Sequence, residues 1–364
     1  MLRKIVKYTL QTLIVILLAV LLAPALLYVP AVQDFIRGKA VGYASEALGM
    51  DLSVGRIRLA FPLRLTVEET LLTDRADTLV DCDRLSLDVA LWPLIRKEVV
   101  VRSFELDRIA ARYKDTTGGL DMRLSAGLLS LGETRADLRT QRAGIARITL
   151  SDGDIFLGLK ASAPAEKTDS TAPPAWSLDI RKISVLNTSF GMRTAPAVTE
   201  LAVRLADGTV EECRVRLDSQ QVSVGSVLLD RGVCSYLTAS SGPGAETPPE
   251  PADTTPSLPW TVRVGSVALT DNRVEYGTLG HRPAAGFDPA FIAVAPLDLT
   301  VDSVYNRGAD IALLIRRMAF TERCGFSVRD LTGSIGMDSA GISLSGVDLQ
   351  TDLSRIRADL SAGP

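Results

Sequence analysis

The sequence is poor in the residues from which most catalytic sites are built. Its 364 residues include a single histidine, His281, and contain no HExxH, GxSxG, P-loop or GxGxxG motif. Metalloprotease, α/β-hydrolase and nucleotide-binding functions therefore lack their usual parts. We interpret His281 as an exposed loop residue and Asp152-Gly153-Asp154 as a turn, because the other ligands of a calcium loop are missing. We predict that the chain is not an enzyme and has no metal site and no cofactor.

The chain also lacks an excess of charge of either sign. The 40 basic and 43 acidic residues give a formal net charge of −3, with both signs interspersed. This distribution gives no electrostatic basis for nucleic-acid binding. Aromatic residues are only 5% of the chain, but 46% of it is hydrophobic, which is enough to exclude a disordered protein.

Cysteines are few, and no CxxC pair or Cys/His cluster occurs among Cys82, Cys213, Cys234 and Cys324. Cys213 and Cys234 are the nearest pair in the sequence, and a disulfide between them is chemically possible outside the cytoplasm. We favour the alternative in which all four are small apolar residues of β-strands.

One long apolar segment is present near the N-terminus. No charged residue occurs between Lys7 and Asp34, and 20 helical residues span about 30 Å, the thickness of the bilayer hydrocarbon. Residues 1–30 are therefore predicted to form a cytoplasmic tip and a single transmembrane helix, with Arg3, Lys4 and Lys7 on the cytoplasmic side. The predicted anchor residues are Leu10, Leu13, Ile14, Ile16, Leu17, Leu18, Leu21, Leu22, Leu26 and Leu27.

A cleaved signal peptide is the alternative, because Ala23-Pro24-Ala25 has the spacing of a cleavage site. The apolar run continues beyond it through Val29, so we favour an uncleaved anchor. Either interpretation places the bulk of the chain outside the cytoplasm.

The periodicity changes after the anchor. Residues 31–50 repeat apolar residues at three- and four-residue spacing, including Phe35 and Tyr43, and Gly49 follows as a C-terminal cap. A juxtamembrane amphipathic helix is predicted there. The odd-numbered positions from Ile57 to Val67 then alternate as in one long half-buried strand, in which Pro62 indicates an edge position, a bulge or a break.

The rest of the chain is predicted to be mainly strands, with one short helix considered over residues 122–132. The predicted β segments are 51–160, 176–238 and 260–364, separated by Pro-rich loops at 161–175 and 239–259. The stretches that begin at Trp176 and Trp260 are alike, and the stretch from Ile145 resembles them in the same register. Repeated strand units of this kind favour an elongated, curved sheet.

These strands share one apolar face, which either packs against a second layer or encloses a groove. Lipid is the natural occupant of a groove, since exposing an acyl chain of roughly 15 methylenes to water costs about 12 kcal/mol. Considered alone, the strand pattern favours faces that pack on one another. The residues predicted to line a groove are Ile57, Leu59, Phe61, Leu63, Leu65, Val67, Leu85, Leu87, Val89 and Leu91.

The order of segments over residues 1–113 resembles the N-terminus of the TamB family, within the AsmA-like group of Gram-negative envelope proteins. The anchor is followed by Tyr28-Val-Pro-Ala-Val-Gln-Asp-Phe-Ile and by a helix ending in Ala47-Leu-Gly-Met. Then come Leu52-Ser-Val-Gly-Arg-Ile-Arg-Leu and Leu65-Thr-Val-Glu-Glu-Thr-Leu-Leu-Thr-Asp. Last are Leu85-Ser-Leu-Asp-Val-Ala-Leu-Trp-Pro-Leu-Ile and Val99-Val-Val-Arg-Ser-Phe-Glu-Leu-Asp. The resemblance is weaker over residues 140–364.

The resemblance implies a mainly β fold: a transmembrane helix and a short amphipathic helix followed by a taco-like or β-helical groove. It implies an inner-membrane protein with a cytoplasmic N-terminus and a periplasmic bulk, which conducts phospholipid toward the outer membrane or supports outer-membrane protein assembly. A BamA-like barrel is the implied partner of a C-terminal region that is absent here, because family members are much longer. The competing hypotheses are a non-conducting β-rich envelope scaffold and an exported β-helical carbohydrate-active enzyme.

Overall fold

The computed structural model describes residues 30–60, 63–74, 77–94, 96, 98–115, 119–160, 176–196, 198–239 and 260–363. Two helices are present in this part, α1 (Pro30–Leu48) and the short α2 (Leu91–Leu94). The strands of the first half are β1 (Asp51–Ala60), β2 (Arg64–Asp74), β3 (Asp77–Val89), β4 (Glu98–Asp115), β5 (Leu120–Leu131), β6 (Thr134–Asp137), β7 (Arg142–Ser151), β8 (Asp154–Lys160) and β9 (Ser177–Ala195). Those of the second half are β10 (Thr199–Arg216), β11 (Gln221–Asp230), β12 (Val233–Thr238), β13 (Thr261–Thr278), β14 (Phe291–Arg307), β15 (Asp310–Glu322), β16 (Ser327–Asp338), β17 (Gly341–Thr351) and β18 (Arg355–Ala362).

All 18 strands belong to one mixed sheet, which confirms the prediction of a mainly β fold. Strands pair with their sequence neighbours, and β5–β6, β7–β8 and β11–β12 lie end to end in pairs against a longer neighbour. Pairing is antiparallel except at two junctions, where β9 runs parallel to β7 and β8, and β13 runs parallel to β11 and β12. The sheet is thus a ladder fifteen strands wide.

At the first parallel junction, stretches that are alike in sequence pair with each other. Ile145 pairs with Ile180 and Ile148 with Ile183. In the second junction Val222 pairs with Val262 and Val227 with Val267. Like residues therefore stack beside like residues, so each repeated unit extends the same face of the sheet.

The N-terminal β region differs from its prediction in one respect. Ile57 and Val67 do not lie along a single strand, because the chain turns near Leu63 and places them directly opposite each other in the β1–β2 hairpin. The alternation continues through the turn in the sequence, which conceals the reversal. Of the three options that Pro62 left open, the break is correct, although Phe61 and Pro62 themselves lie outside the described residues.

Two further predictions are corrected. Residues 122–132, considered as a short helix, lie mainly in strand β5, where the pairing with β4 imposes extended backbone on an ambiguous apolar run. Leu91, predicted to continue the alternation of β3, begins helix α2 because the strand ends at Val89.

Helix α1 lies along the free edge of β1. Arg37 Nη1 donates to the Gly55 carbonyl at 2.6 Å, and the Leu52 amide donates to Ser45 Oγ at 3.1 Å. Gly49 ends the helix with φ 65°, which confirms the predicted cap. The helix therefore satisfies backbone groups of an edge strand that would otherwise be open to pairing.

The predicted apolar face of α1 is only partly accounted for. Phe35 and Tyr43, both assigned to it, are 66% and 77% exposed. No helix within the described ranges is long and apolar enough to span a membrane. The predicted anchor, residues 10–29, and the two Pro-rich loops lie outside those ranges.

The cysteines agree with the simpler interpretation. All four are free thiols. Cys213 opposes Ile180 on one half of β10, whereas Cys234 opposes Val203, ten residues away along the same strand. Ten strand residues span about 33 Å, which excludes a bond between Cys213 and Cys234.

Candidate functional site

One face of the sheet is apolar from its first strand to its last. Directly opposed residues of neighbouring strands point to the same side, so the register defines rows that cross the sheet. One such row, here called the central row, contains apolar side chains on every strand but one. Its members are Ile57, Val67, Leu85, Leu106, Leu129, Leu150, Val185, Gly208, Leu229, Leu269, Leu299, Met318, Leu331, Leu349 and Ile356.

A second row lies two residues away and repeats the pattern. It begins with Leu59, Leu65, Leu87 and Phe104 and continues through Ile183 and Val210. At about 4.8 Å per strand, fifteen strands make these rows roughly 65 Å long. That length is about twice the hydrocarbon thickness of a bilayer.

No other described element covers this apolar face. A packed sandwich core contains many side chains that are completely buried, but the described part of this protein contains no large side chain of that kind. Most members of the central row are half-buried, and Ile356, at its end on β18, is exposed. The described elements therefore leave the face open.

Bends cross the sheet along two lines. The first bend line contains six non-glycine residues with φ between 44° and 55°: Glu69, Arg108, Asp152, Asn187, Arg231 and Asp271. The register places them on one line, and Asn187 Nδ2 donates to Asp152 Oδ1 at 2.6 Å across the β7–β9 junction. The second bend line lies six residues away along each strand and contains Glu212 and Ser303, with φ of 54° and 55°.

These bends curve the sheet toward its apolar face. On β9, Val185 and Thr188 both lie on the apolar side, so Leu186 and Asn187, between them, both lie on the polar side. Each strand thus carries one extra residue on the polar face at a bend line. The face with more residues is the longer, convex one, so the apolar face is concave. The two rows between the bend lines form the floor of a trough.

Close backbone approach at the second bend line requires glycine. A Cβ atom at Gly265 would lie 2.5 Å from the Gly225 carbonyl oxygen, and one at Gly225 would lie 3.0 Å from Glu212 Cβ. Glycine on one strand therefore makes space for the bent backbone or side chain on the next.

The predicted lining residues are distributed as follows. Ile57, Leu59, Leu65, Val67, Leu85 and Leu87 share the apolar face in directly opposed pairs. Val89, opposite Val101, is buried, and Leu63 lies in the β1–β2 turn. Leu91 belongs to α2 and Phe61 is outside the described residues. Their role as lining residues remains a prediction.

The residues of the same face on β4 to β18 were not assigned from the sequence. They repeat the alternation, but with a one-residue slip at each bend line, so simple counting by two loses the face. The likeness of the stretches at Trp176 and Trp260 is the signal that could have recovered it.

The apolar face carries few groups with acid–base chemistry. Burial raises the pKa of the thiols of Cys82, Cys213 and Cys234, which keeps them neutral and unreactive. Within the described ranges no three His, Cys, Asp or Glu side chains are placed to share a metal ion. Its apolar side chains make this face suited to an apolar ligand.

The polar face carries a concavity of about 870 Å³ over β6, β7, β9 and β10. Gly144 and Ala146 form its floor, between flanking charged side chains of both signs. Arg214 pairs with Asp179 at 3.6 Å, and Arg135 with Glu133 at 3.5 Å. The charges largely neutralise one another, so the cavity does not select a ligand of one charge.

No protein-family model, curated protein or solved structure matches this chain. Functional inference therefore depends on the geometry of the apolar face.

Proposed function

We propose that the chain is a TamB/AsmA-like envelope protein that binds phospholipid acyl chains along its concave apolar face and conducts them away from the membrane that anchors it. The central row is the observation that carries this proposal. A row that is apolar at every position except Gly208, concave and open over roughly 65 Å, fits a hydrocarbon chain better than any polar ligand.

The direction of the sheet supports the same function. Helix α1 closes the β1 edge and follows the apolar segment proposed as the inner-membrane anchor. The trough begins at that edge and continues to β18, whose outer edge pairs with no described strand. A lipid that leaves the bilayer at α1 would meet the start of the central row first. A periplasmic location of the sheet and an outer-membrane destination belong to this proposal.

Photo-crosslinking from adjacent leucines on opposite faces tests the proposal. Leu229 lies in the central row, whereas its neighbour Leu228 lies on the polar face and is exposed. Benzoylphenylalanine at Leu229 should capture phospholipid in membranes that contain the full chain, and the same group at Leu228 should not. Equal capture at both positions, or capture at neither, would reject the proposal.

The alternative is a non-conducting envelope scaffold that binds other proteins. The concavity on the polar face is the feature that favours it, since its charged side chains of both signs could be matched by complementary charges on a protein partner. Charge reversal at Arg135 and Arg214 should then weaken a protein partner without changing lipid capture at Leu229.

A further inference from the structure

The two rims of the trough differ in chemistry. One rim, here called the tyrosine rim, is a row of large side chains that crosses eight strands near the strand ends beyond the first bend line. It contains Tyr113, Met122, Leu157, Met192, Leu201, Tyr236, Tyr276 and Ile292. The opposite rim, the aliphatic rim, contains Val99, Ala136, Ala143, Leu178, Val215, Val222 and Val262.

The tyrosine rings stand at the boundary between the apolar face and water. Tyr113, Tyr236 and Tyr276 are 49%, 38% and 53% exposed. Tyr236 and Tyr276 occupy equivalent positions in the β12–β13 parallel pair, and their rings stack with centroids 5.9 Å apart and planes 6° from parallel. The rings of Tyr236 and Tyr276 are therefore each packed against the other on one side and exposed to water elsewhere.

The phenol hydroxyls of these three tyrosines make no hydrogen bond to another described residue. None of them has a hydrogen-bond partner within the described part of the chain, although each could both donate and accept. The next row outward on the same face continues with hydroxyls, at Thr194, Thr199, Thr238 and Thr278. The aliphatic rim has no aromatic ring and no side-chain hydroxyl among its seven members.

Amphipathic rings with an apolar body and a polar tip settle where hydrocarbon meets water. In a phospholipid that boundary lies at the glycerol esters, between acyl chains and headgroup. We infer that bound phospholipid lies asymmetrically in the trough, with its acyl chains on the central row and its glycerol and headgroup over the tyrosine rim. This inference rests on the proposed lipid-binding function and adds the orientation of the ligand.

Cationic side chains alone do not determine which rim binds the headgroup. Arg112 and Lys114 flank Tyr113 on the polar face, but Arg142 and Arg216 occupy the corresponding place beyond the aliphatic rim. A phosphate could reach either set, so a purely electrostatic headgroup contact predicts no preference. The tyrosine rings, whose hydroxyls can both donate and accept, distinguish the two rims, because the rings nearest the aliphatic rim, Trp176 and Trp260, lie one row farther out and can only donate.

Two photoreactive phospholipids test the orientation. The full chain is reconstituted in phosphatidylethanolamine and phosphatidylglycerol vesicles that contain a probe with a diazirine on the headgroup or one at the end of an acyl chain. Labelled peptides are then identified by mass spectrometry. We expect the headgroup probe to label β12 and β13 near Thr238 and Thr278 at least about fivefold more than the strand ends near Val222 and Val262. The acyl probe should label the central row near Leu229.

The possible results separate the two claims. Headgroup labelling that is equal on both rims, or stronger at the aliphatic rim, overturns the orientation while acyl labelling at Leu229 upholds the lipid-binding function. If the acyl probe labels no part of the apolar face, the proposed function fails, and the orientation fails with it.

Removal of the hydroxyls provides a second measurement on a folded protein. The double variant Tyr236→Phe/Tyr276→Phe keeps both rings, so we expect acyl labelling to be unchanged and headgroup labelling at the tyrosine rim to fall about threefold. Tyr305→Phe is the matched control, because Tyr305 lies on the polar face beneath Arg263. Equal effects of the control and the double variant would contradict the inference.

Discussion

Gly225 and Gly265 lie side by side in the parallel pair of β11 and β13, so close that a Cβ atom on Gly265 would stand 2.5 Å from the Gly225 carbonyl oxygen. Both glycines belong to the second bend line. Their contact shows how the trough acquires its curvature: the backbone of one strand occupies the volume that a side chain would need on the next.

Gly265→Ala should therefore destabilise the protein. The added methyl group meets backbone atoms rather than a movable side chain, so we expect a loss of about 1–3 kcal/mol in the free energy of unfolding. Gly42→Ala in α1 is the control, since no atom lies within 4 Å of its added Cβ. That substitution should be neutral or stabilise by up to about 1 kcal/mol. Urea denaturation compares the two, and equal effects would contradict the close approach.

Asn272 of β13 bonds to β11 and to Gly232, between β11 and β12, at the first bend line, and it is 5% exposed. Its Oδ1 accepts from the Gly232 amide at 2.8 Å, and its Nδ2 donates to the carbonyls of Leu229 and Thr270 at 3.0 Å. Asn272→Leu leaves these buried groups unpaired and should cost about 2–4 kcal/mol. Asn306→Ala removes only bonds to exposed turn carbonyls and should cost less than about 1 kcal/mol in the same denaturation measurement.

Acid should open the loop between β13 and β14. The Ala284 amide and the His281 ring bind Asp288, and these hydrogen bonds lower the pKa of its carboxyl to about 2. A lowered pKa stabilises the fold above the ordinary carboxyl pKa of about 4, and the contribution is lost as pH falls from about 4 to about 2. Hydrogen exchange at the Ala284 and Ala290 amides should accelerate over that range.

Asp288→Asn is the control for the acid response. The amide cannot titrate, so the loop of this variant should exchange at a rate that does not change between about pH 4 and pH 2 beyond the intrinsic pH dependence of exchange. Acceleration that is the same in both proteins would show that another group controls the loop.

The two parallel junctions set different limits on chain length. Ser177 begins the 19-residue strand β9, and Lys160 of β8 lies opposite its last residue. Only residues 161–176 join Lys160 to Ser177. Thr261 begins the 18-residue strand β13, and Thr238 of β12 lies opposite its last residue. Residues 239–260 join Thr238 to Thr261. A chain reaches at most about 3.6 Å per residue, so the first connection has little length to spare.

Deletion of four residues within 161–175 should therefore disrupt the pairing of β9 with β7 and β8 and lower the melting temperature. Deletion of four residues within 239–259 should leave the melting temperature nearly unchanged. Differential scanning calorimetry compares the two deletions, and equal tolerance would mean that the first connection is not limited by length.

The sequence predicted the β class because that class depends on local alternation. It also showed the likeness of the stretches that contain Ile145 and Ile180, but not that these stretches pair side by side. It did not predict the bend lines. Glu69, Arg108 and Glu212 adopt positive φ although neither Glu nor Arg is a residue type that favours it, so the bends depend on tertiary register and not on local propensity. The sequence left a break at Pro62 as one of three options but did not reveal the reversal, because both strands of the hairpin present odd-numbered residues to the same face.

The open, lipid-binding apolar face is the central claim, and bound phospholipid in matched charge variants tests it most directly. Leu229→Asp places a carboxylate on the floor of the trough, and Leu228→Asp places one on the polar face beside it. The full chain is purified from membranes, its phospholipid is quantified per protein molecule, and its folding is followed by circular dichroism.

We predict that both variants fold, that Leu228→Asp retains phospholipid at the unsubstituted level, and that Leu229→Asp loses at least about two thirds of it. If the face were a closed core, the unpaired buried charge in Leu229→Asp would unfold the protein. That unfolding, or an unsubstituted protein that carries no phospholipid, would contradict the account.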